Sequence, residues 1–158
     1  MESKAKLFGH PIHQMLVVFP LGLLTTAVLF DLLTLVRNES QWSHAAYYMI
    51  GAGIIGGLIA AVFGLIDWLA IPKGTRAKRI GVIHGLGNVG VVALFAASWL
   101  ARSGAERTPS SFALLLSILG VLLALFTGWL GGELVDRLGV GIDNGANLNA
   151  PSSLHWKS

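Results

Sequence analysis

Five ionisable side chains stand near the ends of long apolar runs. His10 and His13 belong to Gly9-His10-Pro11-Ile12-His13, Asp67 closes a second run, His84 opens a third and Glu133 ends a fourth. Neutral imidazoles on facing helices can hold a b-type haem through two axial nitrogens. A mixed set of imidazole and carboxylate can instead hold Zn, Fe or Mn. Ionisable groups at the edge of lipid are costly, so five converging on one membrane face form a candidate site. His84 is flanked by Ile83 and Gly85, with Gly81 and Gly87 nearby, which leaves room beside its ring for something flat. His13 and His84 are expected at matching depth on parallel spans and make the leading cofactor pair, with His10 as a further cofactor-binding candidate. The metal alternative uses His10, His13 and His84 with Asp67 or Glu133.

The two carboxylates fall near the C-terminal ends of their helices, where the helix dipole disfavours an anion, so each calls for a cation. Arg137, four residues after Glu133, offers it a helix-surface ion pair. Asp67 has no basic residue at that spacing and is expected to pair across helices, with a histidine or with Arg137. Asp31 is expected to reach Arg37. His44 and His155 lie in polar segments and receive no role.

Positioning these groups requires helices that cross a bilayer. Of 158 residues, 54% are apolar and only 12% charged, half the charged share of about 25% in ordinary soluble domains. The apolar residues gather in four uncharged stretches, 15–30, 45–66, 80–101 and 108–132, each long enough with its flanks to cross a core of about 30 Å. The predicted fold is an all-α membrane protein: a four-transmembrane-helix bundle over residues 1–138, followed by an irregular tail, 139–158. The spans are predicted over 11–36, 45–71, 79–101 and 111–138. Pro11 suits the first helical position, Pro20 predicts a mid-span kink and Pro72 ends span two. The outer loops are placed at 37–44 and around Ser103, Gly104, Thr108, Pro109 and Ser110.

The formal charge of +3 reads as a topology signal and not as a nucleic-acid footprint. Lys73, Arg76, Lys78 and Arg79 crowd the loop between spans two and three, which the positive-inside rule makes cytoplasmic, and both termini with it. Eight of the eleven basic residues then lie inside, Lys4, Lys6, Arg137 and Lys157 completing the set. Trp42, Tyr47, Tyr48 and Trp99 fall at the outer edge and Trp68, Trp129 and Trp156 at the inner one, as interfacial belts require. Small pairs at four-residue spacing (Gly53/Gly57, Ala60/Gly64, Gly81/Gly85, Gly128/Gly132) permit close helix approach. There is also an internal echo: His13 and His84 open the outward spans, and Gly64/Asp67 and Gly128/Glu133 close the inward ones, as a duplicated hairpin would produce.

Cysteine is absent, which removes disulfides, thiolate-held iron–sulfur clusters and thiol nucleophiles. No nucleophile–base arrangement or phosphate-binding loop is evident, so an enzyme acting alone is not expected. The expected function is a membrane redox protein, or a small subunit of a redox complex, holding a b-type haem near the cytoplasmic face. The alternatives are a divalent-metal or proton-handling protein and a structural subunit of a larger membrane complex.

Gly9-His10-Pro11-Ile12-His13 followed by Phe19-Pro20, then Gly64-Leu65-Ile66-Asp67-Trp68 and Ile83-His84, resembles a bacterial family of small membrane proteins, domain of unknown function 2231. The resemblance covers nearly the whole chain and implies a four-span fold in a bacterial inner membrane. Some members are joined to Rieske-type iron–sulfur domains, which implies a redox setting. No such domain is present here, so only the setting carries over. The family brings no settled activity.

Overall fold

Prolines and capping residues decide where the apolar runs become helices. The computed structural model describes residues 1–102 and 107–154, so Trp156, Lys157, His155 and the loop residues Ser103 and Gly104 lie outside the described residues. Helix α1, Ile12–Leu16, starts directly after extended Pro11. Pro20 lacks an N–H, and its ring excludes the carbonyl four residues back, so a helix tolerates it only in the first turn. The chain obeys by breaking at Val17 and restarting as α2, Val18–Arg37, which makes Pro20 the third residue of a new helix. The irregular turn therefore falls just ahead of the proline, within one membrane-crossing segment, Ile12–Arg37.

Asn38 ends α2 in the left-handed conformation, φ 54°, with its N–H on Thr34 O. Only Asn38 and Glu39 separate it from α3, Ser40–Ala70. The loop expected at 37–44 is mostly the first turn of α3, where Ser43 Oγ donates to Ser40 O at 2.7 Å and the side chains of Gln41 and Trp42 donate to Glu39. Helix α3 stops before Pro72, as the residue preceding a proline avoids helical geometry. Thr75 then caps α4, Arg76–Leu100, accepting from the Lys78 amide at 3.1 Å, so this span begins three residues earlier than predicted. Ser110 caps α5, Ser111–Gly132, in the same way through the Ala113 amide. One π-helical turn, Glu133–Arg137, completes the fourth span.

Helix α2 packs along α3, and α4 along α5; the two hairpins meet through α3 with α4 and α2 with α5. Leu24, Ala27, Val28, Ala46, Ile50, Val91, Phe95 and Ala124 form the shared core. All four helical segments are long and apolar enough to cross a membrane, and no more than 33% of the most apolar stretch of any is buried, leaving rows of Leu, Val and Ile for lipid. Both ends of the described chain meet at one face: the Met1 ammonium donates to Gly139 O at 2.7 Å, and the Gly141 amide to Met1 O at 2.8 Å. A two-stranded hairpin, β1 Lys6–Leu7 against β2 His10–Pro11, precedes α1 at this face and turns through Phe8 and Gly9.

The hairpins repeat one plan. His84, Phe95 and Arg102 follow His13, Leu24 and Asp31 by the same 71 residues (13 to 84, 24 to 95, 31 to 102). Gly120, Thr127 and Gly131 follow Gly53, Ala60 and Gly64 by 67 (53 to 120, 60 to 127, 64 to 131). Contacts recur with these offsets. A Cβ at Gly53 would lie 2.6 Å from Leu24 and one at Gly120 2.7 Å from Phe95; one at Gly64 would strike the His13 ring and one at Gly131 would meet His84. Equivalent residues face each other at two levels, His13 with His84 and Asp31 with Arg102, which sets a pseudo-two-fold axis along the bundle. Gly64 therefore answers to Gly131 and not Gly128, and the position equivalent to Asp67 is Leu134 and not Glu133.

Candidate functional site

Only two of the five candidate groups meet. The His13 and His84 rings lie 6.3 Å apart between centroids with planes at 85°. His13 Nδ1 donates to Ala60 O at 2.8 Å, across from span one to span two. His84 Nδ1 donates to Thr127 O at 2.9 Å, across from span three to span four. A carbonyl can only accept, so each Nδ1 carries the proton and each Nε2 keeps its lone pair. This is how a backbone carbonyl fixes the tautomer of a histidine that binds a metal through its other nitrogen. Gly64 and Gly131 lie one turn beyond the two carbonyls and make the space for the rings; a Cβ would come within 2.8 Å of His13 Cε1 and 3.2 Å of His84 Cε1.

Two polar residues that sequence reasoning passed over complete the second half. Asn88 Nδ2 donates to His84 O at 2.9 Å and approaches His84 Nε2 at 3.2 Å, while Thr127 Oγ lies 3.1 Å from Asn88 Oδ1. The available signal was spacing: Asn88 is one helical turn after His84, on the same helix face.

The remaining candidates are held elsewhere. Asp67 pairs with neither a histidine nor Arg137. It binds the N-terminal strap: Ser3 Oγ lies 2.8 Å from both carboxylate oxygens, and the amides of Lys4 and Ala5 donate to Oδ1 at 2.7 and 3.4 Å. Backbone and hydroxyl donors thus replace the expected cation. Glu133 accepts from Arg76 of α4 at 2.6 Å and not from Arg137, because the π-helical turn alters the i,i+4 register on which that pair depends. His10 belongs to β2, not to a helix, so it does not share a helix face with His13; its Nε2 meets Ser153 Oγ at 3.3 Å in an exposed contact. Among the described residues, no group of three His, Asp or Glu is placed to share a metal ion.

At the far face, Asp31 reaches Arg102 and not Arg37. The contact is bidentate, at 2.7 and 2.5 Å, with both side chains fully buried. Arg37 lies beyond the end of the buried contact and approaches Glu39 at 3.7 Å. The belt aromatics are also engaged: Trp99 stacks on Tyr47 and donates to its carbonyl, and Trp68 donates to Lys78 O beneath the Lys78 ammonium. Outside the spans, the hydrogen bond from the Lys6 ammonium, helped by the Asn144 amide, holds the Glu2 carboxyl below its usual value.

Comparison with curated proteins and with solved structures gives no match. Residues 9–144 match a family described as "Predicted membrane protein (DUF2231)". That stretch holds all four membrane-spanning segments, the histidine pair, Asp67 and Glu133, and the chain belongs to this family of membrane proteins.

Proposed function

We propose that this chain is an integral membrane redox protein, alone or as a small subunit of a redox complex, in which His13 and His84 hold a b-type haem. The face where Met1 meets Gly139 also carries the basic loop of Lys73, Arg76, Lys78 and Arg79, Arg76 pairing there with Glu133. The positive-inside rule then puts the haem near the cytoplasmic side of a bacterial plasma membrane.

The observation that carries the reading is the ring separation of 6.3 Å. Two imidazoles on opposite sides of one ion, with bonds of about 2.0 Å, put their centroids roughly 6 Å apart. Both rings are already in the tautomer that leaves Nε2 for the iron. Asn88 does not bar this, because its approach to His84 Nε2 is the longest of its three contacts and the other two survive without it. Haem supplies one-electron chemistry when bound; the chain supplies two ligands, their orientation and an apolar setting.

The absorption spectrum of purified protein expressed with added haem, before and after dithionite, tests the reading. A Soret band with sharpened visible bands on reduction is expected; no Soret absorption removes it. The ring separation equally suits a single divalent ion, and this is the second reading. Elemental analysis of wild type against His84→Ala separates the two, with metal-free preparations of both removing the ion.

A further inference from the structure

The two histidines differ as ligands, and we propose that His84 is the fixed ligand of the centre while His13 is exchangeable, opening the site on that side to a small exogenous ligand. The ligand class is a neutral diatomic such as carbon monoxide or a small anion such as cyanide. This rests on the haem reading above.

His84 is tied at two points, and the residue at the second is itself held. Its Nδ1 is on Thr127 O, its carbonyl is on Asn88, and Asn88 is in turn held by the Thr127 hydroxyl. It sits within the 25-residue helix α4, which buries Gly81, Val91, Phe95 and Ser98 against its neighbours. The positions equivalent to Asn88 and Thr127 in the first hairpin are Val17 and Ala60, which have no polar side chain to offer. The His13 ring accordingly keeps only the Ala60 carbonyl as a hydrogen-bond partner among the described residues, and its own carbonyl accepts from a backbone amide, that of Val17, and from no side chain.

His13 also rides on different mechanics. Helix α1 has five residues, buries none of them, and joins α2 through Val17, whose backbone stays helical with bonds to His13 O and from the Leu21 amide, while Pro20 has no N–H to give the Leu16 carbonyl. A short helix without buried side chains belongs to the low-stability end of a structure. The strap limits how far it travels, because Ser3 and the amides after it are fixed to Asp67 on α3 and the Ile12 amide donates to Ala5 O. With a haem bound, a rocking of α1 would withdraw the His13 ring, its Nε2 keeping its lone pair, and a small ligand would take the vacated position with a lone pair of its own, so that no electron or proton need be transferred.

The test uses the full-length protein in detergent micelles. Dithionite-reduced wild type is expected to shift its Soret band under carbon monoxide. Titrated with hemin, both His13→Ala and His84→Ala are expected to bind more weakly than wild type, His84→Ala by at least about tenfold more than His13→Ala, folding of each being checked by circular dichroism and monodisperse elution. Asn88→Val covers the case in which His84→Ala fails to fold. It should weaken hemin binding by about tenfold, while Val17→Ala at the equivalent position leaves it unchanged. Haem-loaded wild type indifferent to carbon monoxide, His84→Ala binding as tightly as His13→Ala, or equal effects of Asn88→Val and Val17→Ala each overturn the proposal while leaving the haem reading in place. Wild type that takes up no hemin at all removes both.

Discussion

In the first hairpin, His13 stands on a five-residue helix opposite Ala60 and four residues before Val17. In the second, His84 stands within a 25-residue helix opposite Thr127 and four residues before Asn88. The backbone contact is the same in both, from Nδ1 to a carbonyl of the next span, and so is the glycine one turn further on. What differs is the polarity around the ring and the continuity of the helix beneath it. The comparison teaches that a shared scaffold sets where an imidazole sits, while a few side chains around it decide how firmly it is held.

The largest way to break the comparison is at the contact that joins the halves. Asp31→Ala or Arg102→Ala is expected to cost about 3–5 kcal/mol, since either leaves an uncompensated buried charge. The double change to leucine should cost far less than either alone, because it removes both charges together. Thermal unfolding in detergent reads this, and equal losses from single and double variants would deny the pair its joining role.

Next come the two ring-side glycines. Gly64→Ala puts a methyl 2.8 Å from His13 Cε1 and should cost roughly 1–3 kcal/mol, whereas Gly131→Ala, at 3.2 Å from His84 Cε1, should cost less than about 1 kcal/mol. The same melting experiment ranks them; the reverse order would mean that α1 yields before α4 is strained.

Thr127→Ala gives the second hairpin the residue its partner has at position 60. Losing the hydroxyl's contact with Asn88 should cost about 1 kcal/mol, and Ala60→Thr in the first hairpin should recover nothing, since Val17 offers no acceptor side chain. A double variant as stable as wild type would contradict this.

The smallest effect is at the strap. The Glu2 carboxyl is held below its ordinary value, so its contribution is present above that value and is lost as pH falls through the lowered one. The Asn144 amide, which donates to Glu2 Oε1, should show this in its NMR shift, with a midpoint below 4.5 that disappears in Glu2→Gln. The effect should also shrink with added salt, because both groups face water.

Four spans were legible in the sequence because composition and length decide whether a segment crosses lipid, and His13 facing His84 was legible because both open parallel spans. The break at Val17 was not, since Pro20 shows only that a helix must yield and not on which side. Asp67 was misread because its partners are a serine and two amides, and backbone donors leave no mark in a sequence. Glu133 was misread because a π-helical turn displaces the i,i+4 partner that regular spacing promises. Asp31 was assigned to the nearest arginine along the chain, while the fold brings one from the other hairpin, 71 residues away. Asn88 and Thr127 escaped notice because an amide and a hydroxyl inside a membrane gain meaning only from their neighbours.

The Asp31–Arg102 contact also decides what each half can pair with. The two residues hold the same place in their respective halves and touch across the axis that relates those halves. Two copies of either hairpin alone would present the same residue twice at that point, acid against acid or base against base, both fully buried. Opposite charges there make each half complementary to the other and not to itself. The ion pair works as a lock and its key, excluding closure of the bundle from two copies of one half.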